Sequence, residues 1–336
     1  MLQLHTPDIV DILKRHADHP SAFLAVNRDT RHFLSDRVPG LIAYRPAGKR
    51  HLVMAAGIST QSQHKDALLA DFLAWAKEGR KKIIAVQMLR PDAEILAKHG
   101  FTVNQIGTSY SLSLRDFKIS GTPFVKLRNK ISRAKRAGVE VKQLGRDLTF
   151  DPELEARLQE IDARWLADKR AKELDFLVGE VGDLGNFDPS VKRLFVAFYE
   201  GEPVAYILYT ASFGAYRGWM HDLTRRLTHA PTGVMELINL TAIQSFIAEG
   251  TDYLNFGFTP LAGLSPDMEI PGASSHPARK IFSFLSEHGR FLYPADSQSR
   301  YKLKWSPNIV LPEYIAFQGG FSPLGLWDFL KLTRAL

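Results

Sequence analysis

The chain has 336 residues, more than one small domain needs, so we expect two domains of ordinary size. It contains no cysteine, which excludes disulfides, thiolate metal ligands and a cysteine nucleophile, and its histidines lack metal-ligand spacing. The net charge of +7 is concentrated between residues 118 and 146, where Glu140 is the single acid among many cations. No apolar run could span a bilayer and the start lacks a signal core, so we predict a cytoplasmic protein without bound metal.

The first half of the chain alternates strand and helix patterns. A helix is predicted through Leu68, Phe72 and Ala76, which recur at helical spacing, and Gly79 ends it. A second, shorter helix runs from Asp92 to Gly100. Strands are predicted at Ala22–Val26, Leu41–Arg45, His51–Ala56, Lys82–Met88 and Ser109–Leu114. This order predicts an α/β unit.

A strongly basic helix follows at residues 122–137. Thr122 and Pro123 open it by the usual cap-and-proline arrangement, and Gly138 closes it. Its apolar stripe is narrow, and six cations cover the rest: Lys126, Arg128, Lys130, Arg133, Lys135 and Arg136. Because these cations have no acidic partner within the helix, they repel one another, and an external anion would relieve that cost. A solvated surface helix is the alternative interpretation, and phosphate binding is the functional one.

The second half is organised around residues 216–264. A strand is predicted to end at Asp222, and a polar turn with Arg225 and Arg226 follows. A buried helix then begins near Thr232, and after Gly250 the chain returns as a strand. We expect Asp222, Arg225 and Glu236 to gather where the strand ends meet the helix N-terminus, a place that favours anions.

The two halves repeat one pattern of hairpin, polar loop, apolar helix, glycine and strand. The segments AWAKEGRKKIIAV and SFIAEGTDYLNFGF are the clearest pair. We therefore predict an α/β (α+β) fold of two tandem acyltransferase-like domains, mixed sheets flanked by helices, over residues 1–145 and 146–336. The tail FSPLGLWDFLKLTRAL predicts a terminal helix that docks on the body, or alternatively an element at a membrane surface.

Several segments in order resemble the aminoacyltransferase domain of the lysylphosphatidylglycerol synthase family over residues 33 to 317. They are HFLSDR, LIAYRP, DFLAWAKEGRKKIIAV, LAKHGF, FVKLRNKISRAKRAGVEV, IDARWL with Glu173 and Phe176, HDLTRR, PTGVMEL, LNFGFTPLAGL, RYKLKWSP and PEYIAF. One departure is Ala56-Gly57-Ile58-Ser59, where family members often carry Gly-Asp-Pro.

This resemblance implies two tandem GNAT-like domains and an aminoacyl-tRNA donor, with no cofactor. The usual acceptor is the glycerol hydroxyl of phosphatidylglycerol, and related fungal domains aminoacylate a sterol. A lipid acceptor also implies that the protein can lie at the inner face of the membrane. The basic helix is then the expected tRNA-binding element.

The resemblance also suggests site residues. Asp222 would hold the ammonium of the amino acid or orient the acceptor hydroxyl, and Glu236 is a second candidate for the ammonium. Arg225 would bind a phosphate, and Lys302 and Lys304 would stabilise an oxyanion or a phosphate. Further substrate contacts are expected from Arg226, Gly233 and Asn255. Each has a structural alternative: an ion pair in a turn for Asp222 and Arg225, dipole compensation for Glu236, and an exposed strand for the lysines.

Three other functions remain open. A coenzyme A-dependent N-acyltransferase would need a glycine-rich loop before the central helix, but Pro231 removes one amide donor there. A Fem-type transferase would keep the tRNA donor and use a cell-wall peptide or a small amine as acceptor. A nucleic-acid-binding protein would use the basic helix alone, without a recognised RNA module.

Overall fold

The computed structural model describes residues 5–168, 184–288 and 295–334. The helices in this part of the chain are α1 (Thr6–His16), α2 (Lys65–Glu78), α3 (Arg90–Lys98), α4 (Val125–Arg136), α5 (Pro152–Asp168), α6 (Val234–Ala248), α7 (His276–His288), α8 (Ala295–Leu303) and α9 (Pro323–Leu332). The strands are β1 (Arg31–Phe33), β2 (Ile42–Ala47), β3 (His51–Ala55), β4 (Lys82–Met88), β5 (Phe101–Ser113), β6 (Glu140–Gln143), β7 (Lys192–Tyr199), β8 (Glu202–Ser212), β9 (Gly218–Arg226), β10 (Tyr253–Pro260) and β11 (Ile309–Gln318).

The described strands form one mixed sheet in the order β1-β2-β3-β4-β11-β5-β10-β9-β8-β7-β6. Two neighbouring pairs are parallel, β3 with β4 and β9 with β10, and the others are antiparallel. Parallel neighbours need a crossover connection, which α2 supplies in the first half and α6 in the second. The predicted α/β fold, a mixed sheet flanked by helices, is therefore confirmed.

The two halves exchange their last strands. β11, near the end of the chain, pairs with β4 of the first half, whereas β5 of the first half pairs with β10 of the second. β5 and β11 also pair with each other, so they lie at the centre of the sheet. The predicted repeat is visible in this order, but the division near residue 145 stays a prediction because both halves share one sheet.

Each face of the sheet is covered by a different set of helices. In the first half, alternate residues of β3 point to opposite sides: Leu52 and Met54 pack under α2 and α3, whereas Val53 and Ala55 pack under α7 and α9. In the second half, α6 covers one face and α5 the other. α6 is apolar on almost every side because α4 packs on its outer surface.

Two predicted segments differ from the structure. Ala22–Val26 is a short 3-10 helix rather than a strand, since a short buried apolar run fits either conformation. β9 does not end at Asp222 but continues to Arg226, so Arg225 and Arg226 lie in a strand and not in a turn. The tail docks as predicted, with Phe329 of α9 buried. Among the described helices, none combines the length and the apolar character needed to cross a membrane.

Candidate active site

The start of α6 is shaped by a glycine. Gly233 has a φ of +93°, in the left-handed region, and a Cβ placed there would come within 2.0 Å of the backbone oxygen of Lys130 in α4. Only glycine tolerates both conditions without displacing α4. Gly233, not the predicted Thr232, is thus the residue that precedes the helix. Its role is to let α4 approach the N-terminus of α6.

That close approach creates a cluster of three charged side chains, which we call the Glu236 cluster (Glu236, Lys130 and Lys304). Glu236 Oε1 accepts hydrogen bonds from Lys130 Nζ at 3.1 Å and from Lys304 Nζ at 3.0 Å. The Glu236 side chain is buried, whereas those of Lys130 and Lys304 are 43% and 34% exposed. Burial raises the pKa of Glu236, but the two ammonium groups outweigh it and hold that pKa below its usual value.

The Glu236 cluster suits an anion. One carboxylate and two ammonium groups carry a net charge of +1, and both lysine side chains are partly exposed. The amides at the N-terminus of α6 add to this preference. The cations of the basic helix have no acidic partner within that helix, but Lys130 pairs with Glu236, which lies about a hundred residues away in the sequence.

Lys302 is buried rather than exposed on a strand, because residues 295–303 form α8. Its ammonium donates to the carbonyl oxygens of Gly257 and Phe258 at 2.8 and 2.9 Å and to Thr259 Oγ1 at 2.8 Å. These three acceptors match the three N–H bonds of an ammonium. Burial lowers the pKa of Lys302 to about 7, with Glu313 acting in the opposite direction.

An imidazole lies close to Lys302. His221 packs against the rings of Tyr209, Phe256 and Tyr301, and its Nε2 has no hydrogen-bond partner among the described residues. Burial, together with the charge of Lys302, lowers its pKa to about 3, so the imidazole is neutral. The aromatic neighbours come from distant segments, which no local pattern indicates.

Arg225 does not join the Glu236 cluster. Its guanidinium forms an ion pair with Asp162 of α5 and lies 4.2 Å from the ring centre of Trp165. Arg225 is opposite Tyr206 in the sheet, and Tyr206 belongs to the core under α5. The side chain of Arg225 therefore lies on the sheet face covered by α5, whereas Glu236 lies on the face covered by α6.

Asp222 occupies a bulge in β9, where the pairing with β8 skips one residue. Its Oδ2 accepts a hydrogen bond from Thr210 Oγ1 at 2.9 Å. Thr210 lies two residues after Leu208 in β8, so both side chains are on the same face of the sheet, and Leu208 packs under α5. The hydrogen bond from Thr210 therefore places the Asp222 carboxylate on the same face as Arg225. The structure therefore separates the four predicted catalytic residues into two pairs on opposite faces, Asp222 with Arg225 and Glu236 with Lys304.

The other predicted substrate contacts have different surroundings. Arg226 is exposed at the end of β9. Asn255 is buried, and its side chain donates to the Tyr216 carbonyl at 3.0 Å and accepts from Ser111 at 2.5 Å. These two bonds connect β10 to β5 and to the segment before β9. The Asn255 side chain is therefore hydrogen-bonded within the fold, and a contact with substrate stays a prediction.

The six cations of the basic helix divide into two groups. Arg128 and Lys130 have hydrogen-bond partners within the fold: Arg128 donates to the carbonyls of Ile119 and Gly121, and Lys130 donates to Glu236. The other four lie on the exposed side of α4, namely Lys126, Arg133, Lys135 and Arg136. Within the described ranges, no ion pair involves Lys126, Arg133 or Lys135. Their binding to tRNA remains a prediction.

Two further predictions concern bound metal and two residues of the family resemblance, Glu173 and Phe176. In the part of the chain that the structure describes, no group of three His, Asp or Glu side chains is arranged to hold a metal ion. Glu173 and Phe176, which belong to the resemblance, lie outside the described residues.

Comparison with known proteins identifies related chains. The family described as phosphatidylglycerol lysyltransferase, C-terminal, matches residues 10–317. A phosphatidylglycerol lysyltransferase from Bacillus subtilis is 24% identical over 83% of this chain and 31% of its own length. The lysylphosphatidylglycerol biosynthesis bifunctional protein LysX from Rhodococcus jostii is 30% identical over 70% of this chain and 21% of its own length. The chain thus spans less than a third of either relative.

A solved structure shares the fold. L-PGS from Bacillus licheniformis superposes with a TM-score of 0.77, at 23% sequence identity, over 98% of this chain and 96% of that one. The family match covers nearly the whole sheet, from α1 to β11. The chain therefore belongs to the phosphatidylglycerol lysyltransferase C-terminal domain family.

Proposed function

We propose that this protein is an aminoacyltransferase that moves an aminoacyl group from aminoacyl-tRNA to a hydroxyl of an anionic membrane lipid such as phosphatidylglycerol. Membership of the family and the names of the relatives support the reaction class and the lipid acceptor. Because the donor is a tRNA, the reaction takes place on the cytoplasmic side, at the inner face of the membrane.

The observation that carries the proposal is the position of Lys130. This residue belongs to the basic helix α4 and at the same time contacts Glu236 at the start of α6. RNA phosphates bound along the exposed cations of α4 would therefore lie beside a second cationic site. We infer that the 3′ end of the tRNA, with its aminoacyl ester, reaches the Glu236 cluster.

The chemistry requires positioning and charge stabilisation rather than a covalent enzyme intermediate. The acceptor hydroxyl oxygen attacks the ester carbonyl carbon, the bond to the ribose oxygen breaks, and the hydroxyl proton passes to that ribose oxygen. The ammonium groups of Lys304 and Lys130 would stabilise the oxyanion that forms, or hold the lipid phosphate. Glu236 then positions both lysines instead of binding the substrate ammonium.

Asp222 lies on the α5 face and accepts a hydrogen bond from Thr210, so we assign it to the local structure of β9 rather than to the aminoacyl group at the Glu236 cluster. Arg225 is only 3% exposed and is bound to Asp162 and Trp165, so we assign it to holding α5 against β9 rather than to a phosphate. Buried Lys302 and the neighbouring neutral His221 are candidates for the proton path.

The coenzyme A alternative finds no support at either crossover helix. At the start of α6, the backbone of Lys130 packs against Gly233, where a pyrophosphate would have to bind. Pro231 in the preceding loop also lacks an amide N–H. At the start of α2, Lys65 is buried between the carboxylates of Asp18 and Asp92, which would repel phosphates. A Fem-type reaction would share the donor, but the family match favours a lipid over a peptide acceptor.

The test is a transfer assay. The protein is incubated with a pool of radiolabelled aminoacyl-tRNAs and phosphatidylglycerol vesicles, and the lipids are resolved by chromatography. We expect one labelled amino acid to appear in a lipid, and Lys304→Met to slow its appearance. Parallel reactions with labelled acetyl coenzyme A, or with a cell-wall peptide as acceptor, should remain unlabelled. Label in either of these, with none in lipid, would overturn the proposal.

A further inference from the structure

We propose that the outer surface of α7 and α9 docks on an anionic lipid bilayer. This docking surface consists of Ile281, Phe284, Leu324 and Trp327, with neighbouring cations on α7, on α9 and in the turn between β2 and β3. It goes beyond the proposed transfer reaction, because it uses residues outside the candidate active site and can be measured without tRNA.

Both helices cover the same face of the sheet. α7 buries Ala278 and Phe282, and α9 buries Phe329, in one core cluster with residues of β2, β3, β4 and β11. The alternate residues of β3 pack under α2 and α3 on the other side. The sides of α7 and α9 that face away from this cluster therefore point in a common direction, away from the sheet.

The residues on those outer sides are large and apolar. In a helix, a residue two positions after a buried one lies nearly opposite to it. Phe284 stands in this relation to buried Phe282, and Trp327 to buried Gly325. Phe284 is 60% exposed and Trp327 is 49% exposed, and Leu324 beside it is 50% exposed. Burial of such side chains on another surface is favourable.

Cations surround the apolar residues of α9. The Lys331 ammonium lies 5.2 Å from the ring centre of Trp327. The turn before β3 adjoins α9, because His51 Nδ1 lies 2.7 Å from Asp328 Oδ2, and this turn exposes Lys49 and Arg50. Asp328 is therefore already paired within the fold.

The charge on α7 is weaker. Lys280 lies one turn before Phe284, but the exposed acid Glu287 follows and offsets it. We therefore expect α7 to contribute mainly apolar contacts and α9, with the β2–β3 turn, to contribute the electrostatic attraction.

This composition fits a bilayer better than a protein partner. Aromatic and aliphatic side chains enter the boundary between headgroups and acyl chains, and lysines around them attract anionic lipids. The surface is also connected to Lys302, our candidate for the proton path, through the end of β10. Ser286 of α7 donates to the Leu261 carbonyl at 2.7 Å, and Phe258 packs in the same core cluster while its carbonyl accepts from Lys302. A docked bilayer would thus lie on the side of the molecule where α7 meets the end of β10, whose carbonyl groups hold Lys302.

The test is co-sedimentation with vesicles of phosphatidylcholine, either pure or with roughly one phosphatidylglycerol in three lipids. We expect binding to the mixed vesicles that weakens in high salt, and little binding to the pure ones. The variant Phe284→Ala/Trp327→Ala should lose about tenfold in binding to mixed vesicles. The matched control Val125→Ala/Ile247→Ala removes two side chains that are each 39% exposed elsewhere, and it should bind like the natural chain.

A milder variant guards against misfolding. Trp327→Phe keeps an aromatic ring, and it should lose most of the shift in tryptophan emission that vesicles cause in the natural chain. Unchanged binding of the double alanine variant, or an unchanged emission shift in Trp327→Phe, would overturn the proposal. Equal binding to both vesicle types would overturn its electrostatic part. A dimer that the double variant abolishes would show that the surface binds a second copy instead.

Docking and transfer can fail independently. With a short-chain phosphatidylglycerol dissolved as single molecules, the double alanine variant should aminoacylate lipid at the natural rate and lose rate only on vesicles. If no protein transfers label under any condition, the vesicle-binding result still decides the docking proposal.

Discussion

The two crossover helices, α2 and α6, occupy equivalent places in the two halves of the sheet, and each begins at a buried charge held between two opposite charges. At the start of α2, Lys65 Nζ lies 2.7 Å from both Asp18 Oδ2 and Asp92 Oδ1. At the start of α6 the signs are reversed: the carboxylate of Glu236 lies between the ammonium groups of Lys130 and Lys304.

We call Lys65, Asp18 and Asp92 the α2 triad, and in this comparison we refer to the Glu236 cluster as the α6 triad. The two triads differ in net charge and in exposure to solvent. The α2 triad has a net charge of −1, and Lys65 and Asp92 are both almost fully buried. Burial lowers the pKa of Lys65, but the carboxylates of Asp92 and Asp18 outweigh it and raise that pKa above its usual value. The α6 triad has a net charge of +1 and leaves both lysines partly exposed. The comparison indicates that the first triad stabilises the fold, whereas the second is available to a ligand.

The largest expected effect is on stability, at the α2 triad. Lys65→Met leaves the buried carboxylate of Asp92 without its cation, so we expect the free energy of unfolding to fall by about 3 kcal/mol. Urea denaturation measures this change. Lys98→Met removes an exposed lysine of α3 and should change stability little. Equal effects of the two variants would contradict a structural role for the α2 triad.

At the α6 triad, the expected effect is on activity. Glu236→Gln removes the carboxylate that positions Lys130 and Lys304, so we expect the rate of lipid aminoacylation to fall roughly 30-fold, with a smaller loss of stability than in Lys65→Met. The assay compares it with Glu153→Gln, an exposed glutamate of α5. A natural rate in Glu236→Gln would remove the functional contrast between the triads.

The exposed cations of α4 should determine the affinity for tRNA. Lys126→Gln/Arg133→Gln/Lys135→Gln should weaken tRNA binding about tenfold near physiological salt and reduce the slope of log affinity against log salt by about 2. The control variant Lys77→Gln/Arg80→Gln/Lys98→Gln removes the same charge elsewhere. Lys77 belongs to α2, Arg80 lies in the turn after α2, and Lys98 belongs to α3. If both triple variants have the same salt slope, α4 is not the RNA contact.

The smallest effect concerns the pH dependence of stability. Since the folded-state pKa of Lys302 is about 7 and its ordinary value is 10.5, the unfolded chain binds more protons between these pH values. Stability should therefore rise with pH in this window, by up to about 1 kcal/mol from pH 7 to pH 8, relative to Lys302→Met. Urea denaturation of both proteins at several pH values checks this sign. A constant difference would show that Lys302 does not titrate there.

Sequence patterns predicted most helices and strands because apolar periodicity and helix-ending glycines are local features of the sequence. Two local signals are sufficient to predict the crossover helices α2 and α6. One is the helical spacing of Leu68, Phe72 and Ala76, and the other is the glycine after each helix. The exchange of β5 and β11 between the halves was not predictable from those patterns, because strand partners are set by contacts distant in the sequence.

The candidate site was predicted as a set of residues but not as an arrangement. Glu236 and Lys304 were both identified, yet their pairing depends on the approach of α4 at Gly233. Arg225 was expected near Glu236, and the bulge at Asp222 together with the continuation of β9 places it on the other face. A one-residue change in strand alternation moves a side chain to the opposite face, and no spacing rule detects it.

A double-mutant cycle on the rate of lipid aminoacylation tests the central claim that Glu236 acts by positioning Lys304. The rates are measured for the natural chain, Glu236→Gln, Lys304→Met and the double variant, at saturating charged tRNA. We predict that each single variant is slow and that the double variant is no slower than the slower single one, because both changes remove one interacting unit. Losses that multiply in the double variant, or single variants that keep the natural rate, would contradict the claim.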